Sequence, residues 1–315
     1  MKKSLLILVA IPFLLSGCFF GGGSDKPIEY NYQQIHSGSQ GVLMSFLPEK
    51  PQGTYNLPKD TNHEIYVSVL LENGGASDVN NGVVALNYDS IYYSFSQYQQ
   101  PFSLQGKSFA SSKGQKQTYF FSGNIKPILE GSKDTTISAV ACYDYTTEYS
   151  FDVCIDTDPG NTKPMKKACD VQKAKDGYVS AGGQGGPVVI SKIDQTVNEV
   201  PGGLDIEFII RIRNSGRGRV FDVNSGPAQL CGLGGSKSPQ GLVNVQVELA
   251  GSPINCGGST TQIPLNDDGI IICKVSSSIS SNTPSYLSSL KVHLAYDYVD
   301  SLGKNIILKK IGAKT

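Results

Sequence analysis

The chain has 315 residues, and its 27 basic residues balance its 27 acidic ones, so the formal net charge is zero. Charged residues make up only 17% of the sequence, which excludes the strong field that a nucleic acid or an anionic surface would attract. The length suffices for two domains, and the low charge with 35 glycines and 16 tyrosines is typical of an all-β extracellular protein.

The first 17 residues have the layout of a secretory signal peptide. Two lysines give a positive start, an apolar run extends from Leu5 to Leu15, and two small residues precede Cys18. The ending Leu15-Ser16-Gly17-Cys18 resembles the lipobox of prokaryotic lipoproteins, in which the cysteine becomes the mature N-terminus and carries lipid. The resemblance implies that Cys18 anchors the protein to membrane lipid, on the extracytoplasmic face of the cell membrane.

Two other interpretations of this segment are open. A plain cleaved signal peptide would leave the protein without lipid, and an uncleaved helix would span the membrane. A spanning helix needs about 20 apolar residues. The stretch from Ser4 to Phe20 supplies only 17 residues, with Ser16 and Gly17 near its end, which favours the lipoprotein.

Composition divides the rest of the chain into four parts. Residues 18–39 are expected to form the lipid anchor and a tether, which Gly21-Gly22-Gly23-Ser24 makes flexible. Residues 40–156 and 187–315 show short strand patterns with turn residues between them, and each predicts one domain. Residues 157–186 predict a linker that is long enough to pack along a domain.

The two predicted domains repeat one another. Ile65 to Leu71 alternates apolar and polar residues, as in a half-buried strand, and Ile206 to Ile212 repeats this alternation 141 positions later. Tyr143-Asp144-Tyr145 returns as Tyr296-Asp297-Tyr298, now 153 positions later. The two offsets indicate a tandem duplication with about 12 extra residues inside the second copy.

Each alternating strand ends in an Asn-x-Gly turn, Asn73-Gly74-Gly75 in the first copy and Asn214-Ser215-Gly216 in the second. This strand–turn–strand element resembles the immunoglobulin-like modules of bacterial and archaeal surface proteins, notably the cell-adhesion-related (CARDB-type) domain. Three further stretches look like uncharacterised secreted archaeal lipoproteins, namely Gly41–Pro48, Cys142–Tyr145 and Gly182–Val189. The resemblance implies two tandem immunoglobulin-like β-sandwich domains and a cell-surface location, but no known activity.

The cysteine count agrees with export from the cytoplasm. Seven cysteines are present, and assigning Cys18 to the lipid leaves an even number, which predicts three disulfides in an oxidising compartment. No two cysteines lie closer than 12 residues, so the paired C-x-x-C spacing of a zinc site is absent. The disulfide cysteines are expected to be Cys142, Cys154, Cys169, Cys231, Cys256 and Cys273.

Strand parity predicts the first pair. Cys142 and Cys154 flank a predicted hairpin in which Tyr143 stands opposite Val153, so the two cysteines stand opposite one another on the polar face. The Cα atoms of directly opposed residues in a non-hydrogen-bonded pair lie about 4.5 Å apart, a distance that a disulfide can bridge.

The other pairings rest on weaker signals. Cys256 and Cys273 flank a polar turn at 266–269 and form the second predicted pair. Elimination then joins Cys169 to Cys231, although a bridge from Cys231 to Cys256 or Cys273 is open as well.

The sequence contains no catalytic or metal-binding motif. Its three histidines stand in no H-E-x-x-H motif, and no G-x-S-x-G elbow occurs. Two loops cluster oxygen-bearing side chains, but neither has the spacing of a calcium loop. These residues are Asp152, Asp156, Asp158 and Asn161 in one loop and Asn266, Asp267 and Asp268 in the other. We therefore expect no catalytic residue, no metal and no cofactor.

A tyrosine-rich stretch from Tyr88 to Phe102 is the candidate interaction surface. Exposed tyrosines beside serine and glutamine suit contact with a protein or a glycan, since the ring gives area and the hydroxyl a polar group. The alternative is a strand whose tyrosines cover the end of a sandwich. The candidate residues are Tyr88, Tyr92, Tyr93, Phe95 and Tyr98.

Together these features predict a lipid-anchored protein that is not an enzyme and serves as a structural or interaction module, an adhesin or a scaffold, of the cell surface. The alternative is an accessory or solute-binding subunit of an envelope complex. A secreted hydrolase is the third hypothesis, and fold analogy does not decide among them.

Overall fold

Strands account for nearly all of the regular structure, as expected for the all-β class. The computed structural model describes residues 32–58, 61–129, 131–164, 166–174, 178, 182–232, 240–257, 262–265, 268–279 and 283–311. The predicted signal peptide, Cys18 and most of the predicted tether lie outside these residues. Within the described ranges, no helix combines the length and the apolar character needed to cross a membrane.

Within the described ranges, the regular elements are short helices and seventeen strands. The strands are β1 (Val42–Phe46), β2 (Thr54–Leu57), β3 (His63–Asn73), β4 (Val79–Tyr88), β5 (Tyr93–Phe95), β6 (Gln99–Leu104), β7 (Lys116–Ile125), β8 (Ser132–Ile155), β9 (Val188–Val200), β10 (Gly203–Asn214), β11 (Arg219–Phe221), β12 (Leu242–Leu249), β13 (Ser252–Pro253), β14 (Asn255–Cys256), β15 (Gln262–Pro264), β16 (Asp268–Ser277) and β17 (Tyr286–Lys310). The helices are α1 (Tyr32–Ile35), α2 (Pro227–Leu230) and one 3₁₀ turn (Val171–Ala174).

The strands form three sheets. The first outer sheet has the order β1-β3-β7-β5 and belongs to the first copy, and the second outer sheet, β14-β16-β10-β9, belongs to the second copy. The third sheet has nine strands from both copies, with the path β13-β12-β17-β8-β4-β6, and is called the shared sheet below.

The shared sheet is continuous across the two copies because β8 pairs with β17. The antiparallel register runs from Ser132 opposite Lys309 to Ile155 opposite Tyr286. Asp144 lies directly opposite Asp297, so the duplicated Tyr-Asp-Tyr motif pairs with its own second copy around a pseudo-two-fold axis. Residues 32–315 accordingly cluster as one unit.

The repeat predicted from the sequence is present in the strand pairing. Ile65 lies opposite Gly123 in the first outer sheet, and Ile206, which follows Ile65 by 141 positions, lies opposite Val275 in the second. The predicted alternation is also observed, because Ile65, Val67, Val69 and Leu71 are all fully buried. Each such side chain stabilises the fold by about 1.5–3 kcal/mol.

The length difference between the copies has two main sources. Strand β4 is continuous, whereas its counterpart is divided into β11 and β12, with residues 222–241 between them. Conversely, the stretch 89–115, which connects β4 to β7, is longer than its counterpart 250–267, which connects β12 to β16. Nearly all of the extra 12 residues of the sequence comparison are therefore the net result of one insertion and one deletion. We call the described part of the insertion, residues 222–232, the cap segment.

The predicted disulfide between Cys142 and Cys154 is wrong. Both cysteines lie on one uninterrupted strand, β8, because Thr146 to Tyr149 pairs with β17 instead of turning back. That stretch, Thr-Thr-Glu-Tyr, contains none of the glycine, proline, asparagine or aspartate residues that favour a turn.

The structure gives three disulfides, of which one was predicted. Cys256 is bonded to Cys273, as expected, at paired positions of β14 and β16. Cys142 is bonded to Cys231 of the cap segment, so the predicted pairing of Cys169 with Cys231 is also wrong. Cys169 is instead bonded to Cys154, which fixes the predicted linker to the end of β8.

Candidate functional site

The duplicated motif places four tyrosines on one face of the shared sheet, at the pseudo-two-fold axis. Tyr143, Tyr145, Tyr296 and Tyr298 are buried, and neighbouring ring centroids lie 5.7–6.4 Å apart. Burial raises the pKa of all four phenols, that of Tyr298 to about 12, so the cluster is neutral at physiological pH.

The hydroxyl groups of the cluster close the two Asn-x-Gly turns. The Tyr145 hydroxyl accepts the N–H of Ser77 at 3.2 Å, and the Tyr298 hydroxyl accepts the N–H of Gly218 at 2.8 Å. A Cβ atom at Gly75 would collide with the Tyr145 hydroxyl, and one at Gly216 with the Tyr298 hydroxyl. The glycines of the repeated turn are therefore required by the close approach of the repeated tyrosines.

A groove of about 600 Å³ opens between the two copies beside this cluster. One side is the edge strand β1, and the floor includes Tyr143 and Tyr298. The opposite side is formed by Pro187 and the second Asn-x-Gly turn through Arg217. We call this cavity the junction groove.

Arg217 is the exposed cation of the junction groove. One guanidinium N–H lies 3.4 Å from a carboxylate oxygen of Asp300, and the arginine side chain is 68% exposed. An arginine has five N–H donors, so this contact leaves most of them for a ligand or water.

Two carboxyl groups face the other side of the shared sheet. Asp144 is half-buried and accepts the N–H of Asn81 at 3.1 Å. Asp297 has no exposed surface and accepts the N–H of Gly226 in the cap segment at 2.8 Å. Its second oxygen, Oδ1, and the buried Ser225 hydroxyl have no hydrogen-bond partner among the described residues.

The surroundings of these carboxyl groups make them weak acids. Burial raises the pKa of Asp297 to about 7, with smaller contributions from the charges of Asp144 and Asp222, while the Gly226 bond opposes the increase. Burial also raises the pKa of Asp144. Because Asp297 is inaccessible to solvent, a substrate could not reach it in this conformation.

The candidate tyrosine surface is divided between core and surface. Tyr93 and Phe95 are buried in the core, where the Tyr93 hydroxyl bonds to that of Thr135. Tyr88, Tyr92 and Tyr98 are partly buried against the same core. These positions fit the alternative interpretation, in which the aromatic side chains cover the end of a sandwich. Tyr93 and Phe95 are alternate residues of β5 and therefore share its inward face.

The first of the two oxygen-rich loops organises the linker. The Asp156 carboxylate lies 2.9 Å from the Lys167 ammonium. Asp158 accepts the N–H groups of Lys163 and Thr162, and the Lys163 bond is the largest cause that lowers its pKa to about 2. In the second loop, Asn266 and Asp267 lie outside the described residues. Within the described part of the chain, no group of three or more potential ligands could hold a metal ion.

Sequence reasoning missed the junction itself. The repeated Tyr-Asp-Tyr motif was recognised, but its self-pairing depends on two strands whose motifs are 153 positions apart. The available signal was the absence of a turn in Thr146 to Tyr149, which indicates one long strand in need of a long partner.

These features define an all-β, disulfide-bonded protein whose two similar halves share one sheet. No family model matches the chain, and no curated protein matches it. Among solved structures, the chain is similar to the secreted serine protease VesC from Vibrio cholerae, at 13% identity and a TM-score of 0.17. The match covers 85% of this chain and 50% of the protease, so the chain spans about half of that protein's length. A TM-score this low supports no inference about fold or activity.

Proposed function

We propose that this protein is a lipid-anchored lipoprotein of the extracytoplasmic membrane face, with two tandem immunoglobulin-like sandwiches that act as a structural or interaction module. The observation that carries this proposal is the pairing of β8 with β17, which joins the two halves of the chain through one sheet. A continuous sheet holds both copies in a fixed arrangement, as adhesion and scaffold proteins require. Three disulfides support an oxidising compartment.

The lipid anchor is tested by Cys18→Ser. We expect the variant to lose incorporation of a radiolabelled precursor of the host's membrane lipids and to move from the membrane fraction to the soluble extracytoplasmic fraction. Ser24→Ala, a small change a few residues further on, is the matched control and should behave as the native protein. Membrane retention of Cys18→Ser without any label would contradict the lipoprotein and favour a spanning helix.

The second candidate function is an accessory or solute-binding subunit of an envelope complex. The junction groove favours it, because a volume of about 600 Å³ lies within the usual range for small-molecule pockets. Mass spectrometry of the protein purified under native conditions separates the two candidates. A stoichiometric small molecule that Arg217→Gln removes would support the solute-binding role, and a crosslinked macromolecule would support the interaction module. A secreted hydrolase is the least favoured, since Asp297 of the described carboxyl pair is closed to substrate.

A further inference from the structure

The edge strand β1 differs from its counterpart in the second copy. Val42 lies opposite Asn73, and Val188 at the start of β9 lies opposite Asn214, so the two strands occupy equivalent positions. The N–H of Val42 points away from β3 and bonds to the Tyr143 hydroxyl at 3.1 Å. The N–H of Val188 makes the same bond to Tyr296 at 3.2 Å.

At the next outward-facing position, the backbone groups have hydrogen-bond partners only in the second copy. Because bonded and free groups alternate along an antiparallel edge, Met44 and its counterpart Ile190 both point their N–H and C=O away from the sheet. At Ile190 the side-chain amide of Gln184 bonds to both groups. Its Oε1 accepts the N–H of Ile190 at 2.7 Å, and its Nε2 donates to the C=O of Ile190 at 3.0 Å. The described residues provide no such partner for Met44, which lies along the junction groove.

The edge of β1 also lacks the features that usually prevent strand addition. Its sequence Val-Leu-Met-Ser-Phe contains no charge and no proline. By contrast, β6 carries Pro101, and β9 is covered by Gln184 and by a two-way backbone bridge between Tyr178 and Ile193. An open, uncharged edge inside a groove is a template for one more strand.

Among the described residues, the groove is lined by one cation, Arg217, and by the carboxylates of Glu72 and Asp300, each of which has an ion-pair partner. The cation sets the direction of such a strand. Gly41, at the start of β1, lies beside Pro187, whose carbonyl accepts the N–H groups of Ser215 and Gly216. Arg217 therefore stands near the N-terminal end of β1. A strand that adds antiparallel to β1 would bring its C-terminal end to this cation, where a carboxylate is favoured.

We propose that the junction groove binds an extended segment of a partner protein, which adds antiparallel to β1 and ends in a carboxylate at Arg217. The backbone of the segment forms hydrogen bonds with the N–H and C=O of Met44, as the side chain of Gln184 does with those of Ile190. The proposal rests on the proposed role as an interaction module and names its partner class. The binding tests below use protein purified from its own membranes and do not depend on the Cys18→Ser result, so the two can fail separately.

Peptide selection tests the edge directly. A library of random octapeptides with free C-termini is selected on the native protein, and binding is compared with Met44→Pro, which removes the outward N–H and the methionine side chain but no backbone bond to β3. Met44→Ala is the matched control, because it loses the same side-chain contacts but keeps the N–H. We expect enriched peptides to bind the native protein and Met44→Ala, and to bind Met44→Pro about tenfold more weakly.

Three results would overturn the proposal. One is the absence of any peptide enriched on the native protein over Met44→Pro. Another is equal affinity for Met44→Pro and Met44→Ala. The third is a dimer of the native protein that Met44→Pro abolishes, because a second copy would then be the occupant of the edge.

Chemically altered peptides make the test independent of variant folding. N-methylation of an enriched peptide at the alternate residues that face β1 should weaken binding about tenfold, and N-methylation at the intervening residues should leave it unchanged. Arg217→Gln should weaken the free-acid peptide severalfold and leave its C-terminal amide unaffected. Equal effects of the two methylation patterns would exclude strand addition, and an unchanged free-acid affinity in Arg217→Gln would exclude the carboxylate contact.

Discussion

At the residue scale, the two aspartates of the duplicated motif show how position alone separates identical side chains. Asp144 and Asp297 face each other across the pseudo-two-fold axis. Only the second copy has the cap segment, which covers Asp297 and leaves Asp144 half-exposed. The buried carboxyl group therefore keeps its proton to about pH 7, whereas an aspartate in an unfolded chain loses it near pH 4.

This difference predicts a pH-dependent stability. Between about pH 4 and pH 7 the native state binds a proton that the unfolded state has lost, so the free energy of unfolding falls as the pH rises. Asp297→Asn removes the buried charge and should stabilise the protein by about 2 kcal/mol at pH 8, with little change at pH 4.5. Urea unfolding at both pH values measures the effect.

The matched control for this prediction is Asp144→Asn, at the equivalent but half-exposed position. Its effect at pH 8 should be clearly smaller, because water already solvates part of that carboxyl group. Equal stabilisation by the two variants, or none by Asp297→Asn, would contradict the assignment of the raised pKa to the cap segment.

At the element scale, the cap segment is held by a covalent bond and a small apolar cluster. Leu230 and Cys231 pack with Phe221 and Val299 on the outer face of the shared sheet, and Cys231 is bonded to Cys142. Helix α2 has only four residues, too few to be stable alone. The disulfide therefore positions the segment that buries Asp297.

Removal of this disulfide should be costly. Its two cysteines are 89 residues apart, and loop-closure entropy predicts a loss of about 4.6 kcal/mol for Cys142→Ser with Cys231→Ser. The same change at Cys154 and Cys169, 15 residues apart, should cost about 3 kcal/mol. Urea unfolding of the two double variants provides the comparison. Unchanged stability after loss of the longer loop would show that the cap segment holds its place without the bond.

At the scale of the whole molecule, the shared sheet makes the two copies depend on one another. Strands β8 and β17 have 24 paired positions, so neither copy can lose its part of the sheet without exposing the backbone of the other. Two tandem domains joined by a linker would unfold independently. The sheet predicts one transition instead.

A core variant in the first copy tests this coupling. Ile65→Ala, at a fully buried position, should cost about 2–5 kcal/mol and give a single transition at lower urea concentration. The free energy of opening, measured by amide hydrogen exchange in β10 of the second copy, should fall by a similar amount. Tyr66→Ala, at an exposed neighbouring position, is the control. Two separate transitions, with β10 unaffected, would restore the picture of independent domains.

Local features were predictable from the sequence. Alternation of apolar residues predicted β3 and β10, because the apolar side chains of a strand with one buried face recur at every second position. The duplication was visible because equivalent positions meet equivalent environments. The pair Cys256–Cys273 was predicted from the polar turn residues between the two cysteines, although β15 also lies between their strands. The lipobox at Cys18, the tether and the lipid anchor remain predictions from the sequence.

Only the tertiary structure decided which distant segments meet. The pairing of β8 with β17, the bridge from Cys142 to Cys231 and the open edge at Met44 each join or compare segments far apart in the chain. Periodicity shows that a strand has an inward face but carries no information about which strand lies beside it. That choice depends on the whole set of competing edges. Among the described strands, β8 with 24 residues pairs with β17, which has 25 and is its counterpart in the second copy.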